Sequence, residues 1–120
     1  PFIWLKRVIE GGNPRHEIIP NDSASMIHLR DLAKIFLAVY ENPNASGRYF
    51  GVYKSLHWYD IYNECRKLIP NMNMPITFSD KPVEPTGFDF TRRDSLKVHI
   101  RDFSTTLKET INWLKTKPFE

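Results

Sequence analysis

Trp58, Ile61, Tyr62, Cys65, Leu68 and Ile69 recur at helical spacing and form the clearest amphipathic stripe in the sequence. A stripe of that kind commits its segment to a helix lying on a core, and Pro70 stops it. Immediately upstream, Arg48-Tyr49-Phe50-Gly51-Val52-Tyr53 is rich in aromatic and β-branched residues and reads as a strand, with Ser55 as a candidate N-cap for the helix. A similar unit precedes it. Ser25-Met26-Ile27-His28-Leu29 is apolar enough for a buried strand and runs directly into a helical pattern of Leu32, Ile35, Phe36, Val39 and Tyr40. Asn42-Pro43 ends that helix, and Asn44-Ala45-Ser46-Gly47 forms a loop.

Around these two strand-to-helix units the pattern is weaker. Residues 2 to 10 carry Phe2, Leu5 and Ile9 on one face and stop at Gly11-Gly12. Glu17-Ile18-Ile19 and Ile76-Thr77-Phe78 read as short strands, and Phe88-Asp89-Phe90 as another extended piece. A short helix is expected around Arg93 to Lys97. A last helix is expected from Ser104, with Leu107, Thr110, Ile111 and Leu114 on one face and Lys115 and Lys117 at its negative end.

Composition narrows the class without naming it. The 120 residues are 41% hydrophobic and 26% charged, enough apolar side chain for a real core and too much for disorder. A net charge of +3 does not by itself imply nucleic acid. The densest basic cluster, Arg92, Arg93, Lys97 and Arg101, is interrupted by Asp94 and Asp102 and reads as a solvated face. The single cysteine, Cys65, excludes an internal disulfide and suits a reducing compartment, so the expected location is cytoplasmic. Leu32 to Tyr40, the longest apolar stretch, is broken by Lys34 and falls far short of the roughly 20 residues a bilayer span requires, so no membrane partner is expected. The opening Pro1-Phe2-Ile3-Trp4-Leu5-Lys6-Arg7 places its charges after its apolar residues, the reverse of a signal peptide, and reads as a start inside a longer protein.

The chemistry that could be catalytic is sparse. No glycine-rich phosphate loop is present, and none of the five tyrosines has a lysine four residues on. His16, His28, His57 and His99 show no metal-ligand spacing, so no metal site is expected. His28, at the end of an apolar strand, reads as a structural histidine that holds the turn. Cys65 lies in the helical stripe and reads as core. Gly51 is assigned a packing or bulge role.

Several phrases resemble one family. Ser25-Met26-Ile27-His28-Leu29-Arg30-Asp31-Leu32-Ala33 resembles the "Phe-Val-His-Val-Asp-Asp-Leu-Ala" junction of the extended short-chain dehydrogenases. Asn42-Pro43-Asn44-Ala45-Ser46-Gly47-Arg48-Tyr49 is similar to a loop and strand of the dihydroflavonol-reductase-like branch. Phe78-Ser79-Asp80-Lys81-Pro82 and the stretch from Ser104 to Leu114 also resemble that branch, in the same order.

The resemblance implies an α/β fold: the C-terminal portion of an NAD(P)-binding Rossmann-type extended short-chain dehydrogenase, made of the substrate lobe and the last strand-helix unit. On that reading residues 1–120 form one substrate-binding part. Residues 31–53 pack on or complete a Rossmann sheet supplied by an N-terminal part, which is the expected partner. The cofactor, NAD or NADP, and the catalytic Tyr/Lys pair belong to that part, so this chain alone is expected to hold no cofactor and to be inactive. The implied reaction is reduction of a small-molecule ketone or aldehyde, with Phe2, Ser25, Met26 and Phe88 as candidate substrate-binding residues.

Nucleotide-sugar epimerases of the superfamily carry an arginine at the strand start. This chain has Ala24-Ser25-Met26 there, which favours an uncharged carbonyl substrate. Arg30 replaces the first acidic residue of the junction, and Asp31 is expected to cap the helix. Alternatives remain: an epimerase or dehydratase of the same superfamily, a non-catalytic binding module, or a nucleic-acid binder using the basic cluster. Without the sheet, the face of Leu32, Phe36 and Val39 and the strand edge are expected to drive self-association.

Overall fold

The computed structural model describes residues 4–116, so Phe2 and Lys117 lie outside the described residues. The chain opens with α1 (Trp4–Ile9), whose buried side chains are Trp4, Leu5 and Val8. Gly11 ends it with φ of 89°, and its N–H donates to the carbonyl of Val8 at 3.0 Å. This is the left-handed C-terminal closure that glycine adopts without a Cβ penalty. The expected strands at Glu17–Ile19 and Ile76–Phe78 meet each other as one parallel bridge, with the N–H of Ile19 donating to the carbonyl of Ile76 at 2.8 Å.

Among the described residues the sheet has two strands. β1 (Ser23–Met26) pairs antiparallel with β2 (Lys54–His57), setting Ala24 opposite Leu56 and Ser25 opposite Ser55. β1 leads through His28 into α2 (Leu29–Glu41), and β2 leads through its last residue into α3 (Trp58–Leu68). After a proline-rich connector come α4 (Thr91–Ser95) and α5 (Phe103–Thr116).

Three expectations shift. The strand placed at Arg48–Tyr53 is displaced: the pairing begins at Lys54, and residues 48–53 run without regular structure. Two carbonyls there, those of Val52 and Tyr53, accept from the guanidinium of Arg93 at 2.6 and 2.7 Å instead of joining a ladder. Ser55 lies inside β2, its Oγ 2.7 Å from that of Ser25, and the cap of α3 is His57. The short helix expected at Arg93–Lys97 begins at Thr91 and ends at Ser95, just before Lys97 turns left-handed at φ 57°.

The core is built by α1, α3 and α5. Leu5, Val8, Ile61, Tyr62, Cys65, Leu107, Ile111 and Leu114 are buried in one cluster with Ile19 and Met72, and Trp58, Leu68 and Ile69 complete the α3 stripe at its margin. Trp4 and Tyr62 meet at 5.6 Å between ring centroids. α2 stands apart. Its side chains Leu29, Phe36 and Tyr40 are 78%, 69% and 86% exposed and recur on one face of the helix, a placement that withholds an apolar stripe from the core. Leu32 and Val39 beside them are only half-buried.

The molecule is flat, 49 × 39 × 21 Å, with a radius of gyration of 16.4 Å. A self-contained domain of this length would have about 13.6 Å.

Candidate functional site

The two strand-to-helix junctions share a construction. His28 Nδ1 accepts the N–H of Arg30 at 3.0 Å, and His57 Nδ1 accepts the N–H of Tyr59 at 3.0 Å, so each histidine caps its helix with a ring nitrogen. Their outer nitrogens differ. His28 Nε2 lies 2.9 Å from Glu109 Oε2, whereas His57 Nε2 lies 2.8 Å from Asn21 Oδ1. His28 is the structural histidine that the sequence indicates. Asp31 does not cap α2: fully buried, it accepts the N–H of Arg101 at 2.8 Å and faces that guanidinium at 3.7 Å, which fixes α2 to the start of α5.

The best candidate for a ligand surface lies between the 46–50 segment and α4. Arg48, Phe50, Asp89 and Arg92 line a recess of about 250 Å³. Phe50 and Phe88 meet edge to face at 5.0 Å, and Phe88 stacks with Phe90 at 5.6 Å, giving an aromatic bank beside it. Arg93 lies 3.6 Å over the Phe90 ring while its Nη1 donates to the two carbonyls already described. Arg92 Nη1 donates to the carbonyl of Ser46 at 3.0 Å. Gly47, at φ 79°, makes that approach possible, because a Cβ there would overlap the guanidinium.

Asp89 accepts the hydroxyl of Thr91 at 2.6 Å and its N–H at 3.0 Å, and these bonds hold its carboxyl below the usual range. It stays ionised at neutral pH, so the recess carries two guanidiniums against one carboxylate. Such a surface suits a ligand with an anionic group beside an apolar or aromatic one. The reading of this basic cluster as a solvated face holds for Arg92, which is exposed and uses one nitrogen on Ser46, and gives way for Arg93 and Arg101, whose largely buried guanidiniums face carbonyls or a carboxylate. Arg93 is paired in addition with Asp94.

Of the residues put forward for substrate contact, Ser25 is exposed on β1 and bonded to Ser55, Met26 is half-buried against the core, and Phe88 belongs to the aromatic bank. Ser25 and Met26 are consecutive on β1 and so project to opposite faces, and Phe88 sits in a different cluster, so the structure does not bring the three together. Arg48, Phe50 and Arg92 were not put forward. No spacing signals them, since a loop and a helix more than 40 residues apart supply them. A larger open groove of about 710 Å³ runs along β2, α3 and the start of α5, lined among others by Leu56, Tyr59, Arg66 and Phe103.

Nucleophilic chemistry is weak among the described residues. Burial pushes the Cys65 thiol up to about 12, leaving no thiolate at neutral pH. Gly51 has the packing role expected of it, because a Cβ there would overlap Leu32. Among the described residues there is no cluster of metal-ligating side chains, and no helix is long and apolar enough to cross a membrane. The glycines do not form a phosphate cradle, since Gly11-Gly12 closes a helix and Gly47, Gly51 and Gly87 stand singly.

No family model matches the chain. It is 30% identical over 105 residues to a cinnamoyl-CoA reductase of Medicago truncatula, covering 86% of this chain and 32% of that protein. It is 30% identical over 96 residues to a dihydroflavonol 4-reductase of Dianthus caryophyllus, covering 70% of this chain and 25% of that protein. A cinnamoyl-CoA reductase of Oryza sativa is 31% identical over 85 residues. The chain spans a quarter to a third of the length of the relatives it matches.

Proposed function

We infer that this chain, a relative of reductases in the extended short-chain dehydrogenase/reductase superfamily, is the substrate-binding C-terminal portion of an NAD(P)-dependent oxidoreductase. The observation that carries the reading is the alignment itself: similarity runs through most of this chain yet covers less than a third of the Medicago reductase. The flat shape and the uncovered stripe of α2 support it, since both suit a lobe that rests on a further layer. On this reading the further layer is a Rossmann sheet, against which residues 31–53 pack.

On this reading the dinucleotide is held outside this chain. The residues present supply no glycine-rich turn and no Tyr/Lys pair, so hydride transfer is assigned to groups outside this chain. What this chain contributes is binding energy remote from the reacting carbon, which orients a carbonyl for reduction. Arg48 and Arg92 take the anionic end of the substrate and the Phe50–Phe88–Phe90 bank takes an aromatic part. An aromatic acyl thioester of coenzyme A, or another aromatic carbonyl compound with an anionic group, meets those terms. The arginine pair thus adds a charged end to the uncharged carbonyl that Ala24-Ser25-Met26 favours.

The test is a reductase assay with cinnamoyl-CoA and a dihydroflavonol, using the longer gene product and this chain alone. The longer product is expected to oxidise NADPH or NADH with one of them, and the chain alone with neither. Arg48→Ala and Arg92→Ala together are expected to raise KM about tenfold or more, the loss of one or two charge-assisted hydrogen bonds. Turnover by the chain alone, or a longer product that binds no dinucleotide, overturns the reading.

A further inference from the structure

Residues 11–19 connect α1 to the parallel bridge and are fastened at three points. Asn73 Nδ2 donates to the carbonyls of Gly11 and Gly12 at 3.2 and 3.3 Å, and at the far end Ile76 donates its N–H to the carbonyl of Glu17 at 2.9 Å and accepts the N–H of Ile19 at 2.8 Å. Between them the fastening is one side-chain contact, with His16 Nδ1 2.8 Å from the hydroxyl of Tyr62. That hydroxyl also receives the backbone N–H of His16 at 3.3 Å. Tyr62 is fully buried, so its own proton needs an acceptor, and the Nδ1 lone pair supplies one. The arrangement therefore requires a neutral His16 carrying its proton on Nε2.

We propose that the His16–Tyr62 contact is a proton-sensitive fastening that holds residues 13–16 on α3 at neutral pH and releases them in acid. Protonation at Nδ1 replaces the acceptor with a donor, leaving the buried hydroxyl's proton without a partner. The surroundings offer the cation little. Arg15, beside it in the loop, repels a second positive charge and itself lies 5.8 Å from the centre of the Trp58 ring. From α3 come Trp58, whose ring meets the His16 ring edge to face at 4.7 Å, the Tyr62 hydroxyl, and Cys65, whose thiol stays protonated. From α1 comes the uncharged ring of Trp4 against Tyr62. The carboxylate next in the chain, Glu17, is exposed.

Burial first, and Arg15 second, hold His16 below the ordinary histidine value of 6.5. Burial likewise raises Tyr62, keeping it the donor. The unfolded chain thus takes a proton on His16 before the folded chain does. The stability this contact contributes is fully present above about pH 6.5 and is lost as pH falls below it through the folded value. His28 differs in its surroundings, with a Glu109 carboxylate oxygen 2.9 Å from its Nε2.

The experiment is a side-chain and backbone NMR titration of the chain from pH 7.5 to 5. His16 is expected in the Nε2–H form at neutral pH, to titrate below 6.5, and to carry the amide signals of residues 13, 15 and 16 with it. Tyr62→Phe, which keeps the ring and removes the hydroxyl, should raise the His16 midpoint by about half a pH unit. His16→Gln, whose amide accepts at any pH, should leave those amides unchanged down to pH 5. A His16 midpoint at or above 6.5, or amide signals that ignore it, overturns the proposal.

Discussion

The two strand-to-helix junctions begin alike and end differently. His28 and His57 cap their helices through the same ring atom, and each is followed three residues later by an aspartate, Asp31 or Asp60. Beyond the cap, α3 buries Ile61, Tyr62 and Cys65 in the core, whereas α2 buries Asp31 and Ile35 and presents Leu29, Phe36 and Tyr40 outward. Helix formation and helix burial are therefore separate facts in this chain. Local capping and amphipathicity suffice for the first, and the second depends on what lies opposite.

The largest effect that separates the two helices is expected from truncation. Ile61→Ala should cost about 2–5 kcal/mol in urea unfolding, by lost transfer energy and the cavity left behind, while Phe36→Ala should stay within about 0.5 kcal/mol. A comparable loss in both variants would mean that α2 is covered in solution. Next comes Asp31→Ala. It removes the carboxylate that receives the Arg101 N–H, and the urea midpoint should fall by an amount equivalent to about 2–3 kcal/mol. An unchanged midpoint would show that α2 is not anchored to α5 through this group.

A smaller loss tests the caps themselves. His57→Ala should cost about 1 kcal/mol and His57→Asn clearly less, because asparagine can accept the same N–H. Equal losses would move the stabilisation away from the cap and onto the packing of His57 against Phe78, 5.1 Å between centroids. The smallest effect is on the thiol: Cys65 in the native chain should resist alkylation at pH 8 and react only on unfolding. Rapid modification of the native protein would contradict its burial.

The helices were legible because each carries its own periodicity, and Leu107, Ile111 and Leu114 are buried as their spacing requires. The strand was misplaced because Arg48–Tyr53 and Lys54–His57 both favour extended backbone, and pairing with β1 decides between them. His57 as a cap was missed in favour of Ser55, although the repeated His-x-x-Asp spacing marks both junctions. Of the arginine-lined recess only Arg92 carries a sequence signal, as a member of the basic cluster. Arg92 reaches it only because Gly47 leaves room, a relation across 45 positions that no local pattern encodes. Phe88 is marked by its place in the chain, whereas its contacts with Phe50 and Phe90 exist only in three dimensions.

On the proposed reading, α2 and residues 48–53 are the contact surface of a lobe that rests on a Rossmann sheet. Hydrogen exchange read by mass spectrometry, comparing this chain alone with the longer gene product, tests it most directly. The claim predicts that amides of α2 and of 48–53 exchange at least tenfold more slowly in the longer product, while those of α3 and α5 change little. Equal exchange in α2 and in 48–53 between the two would contradict it.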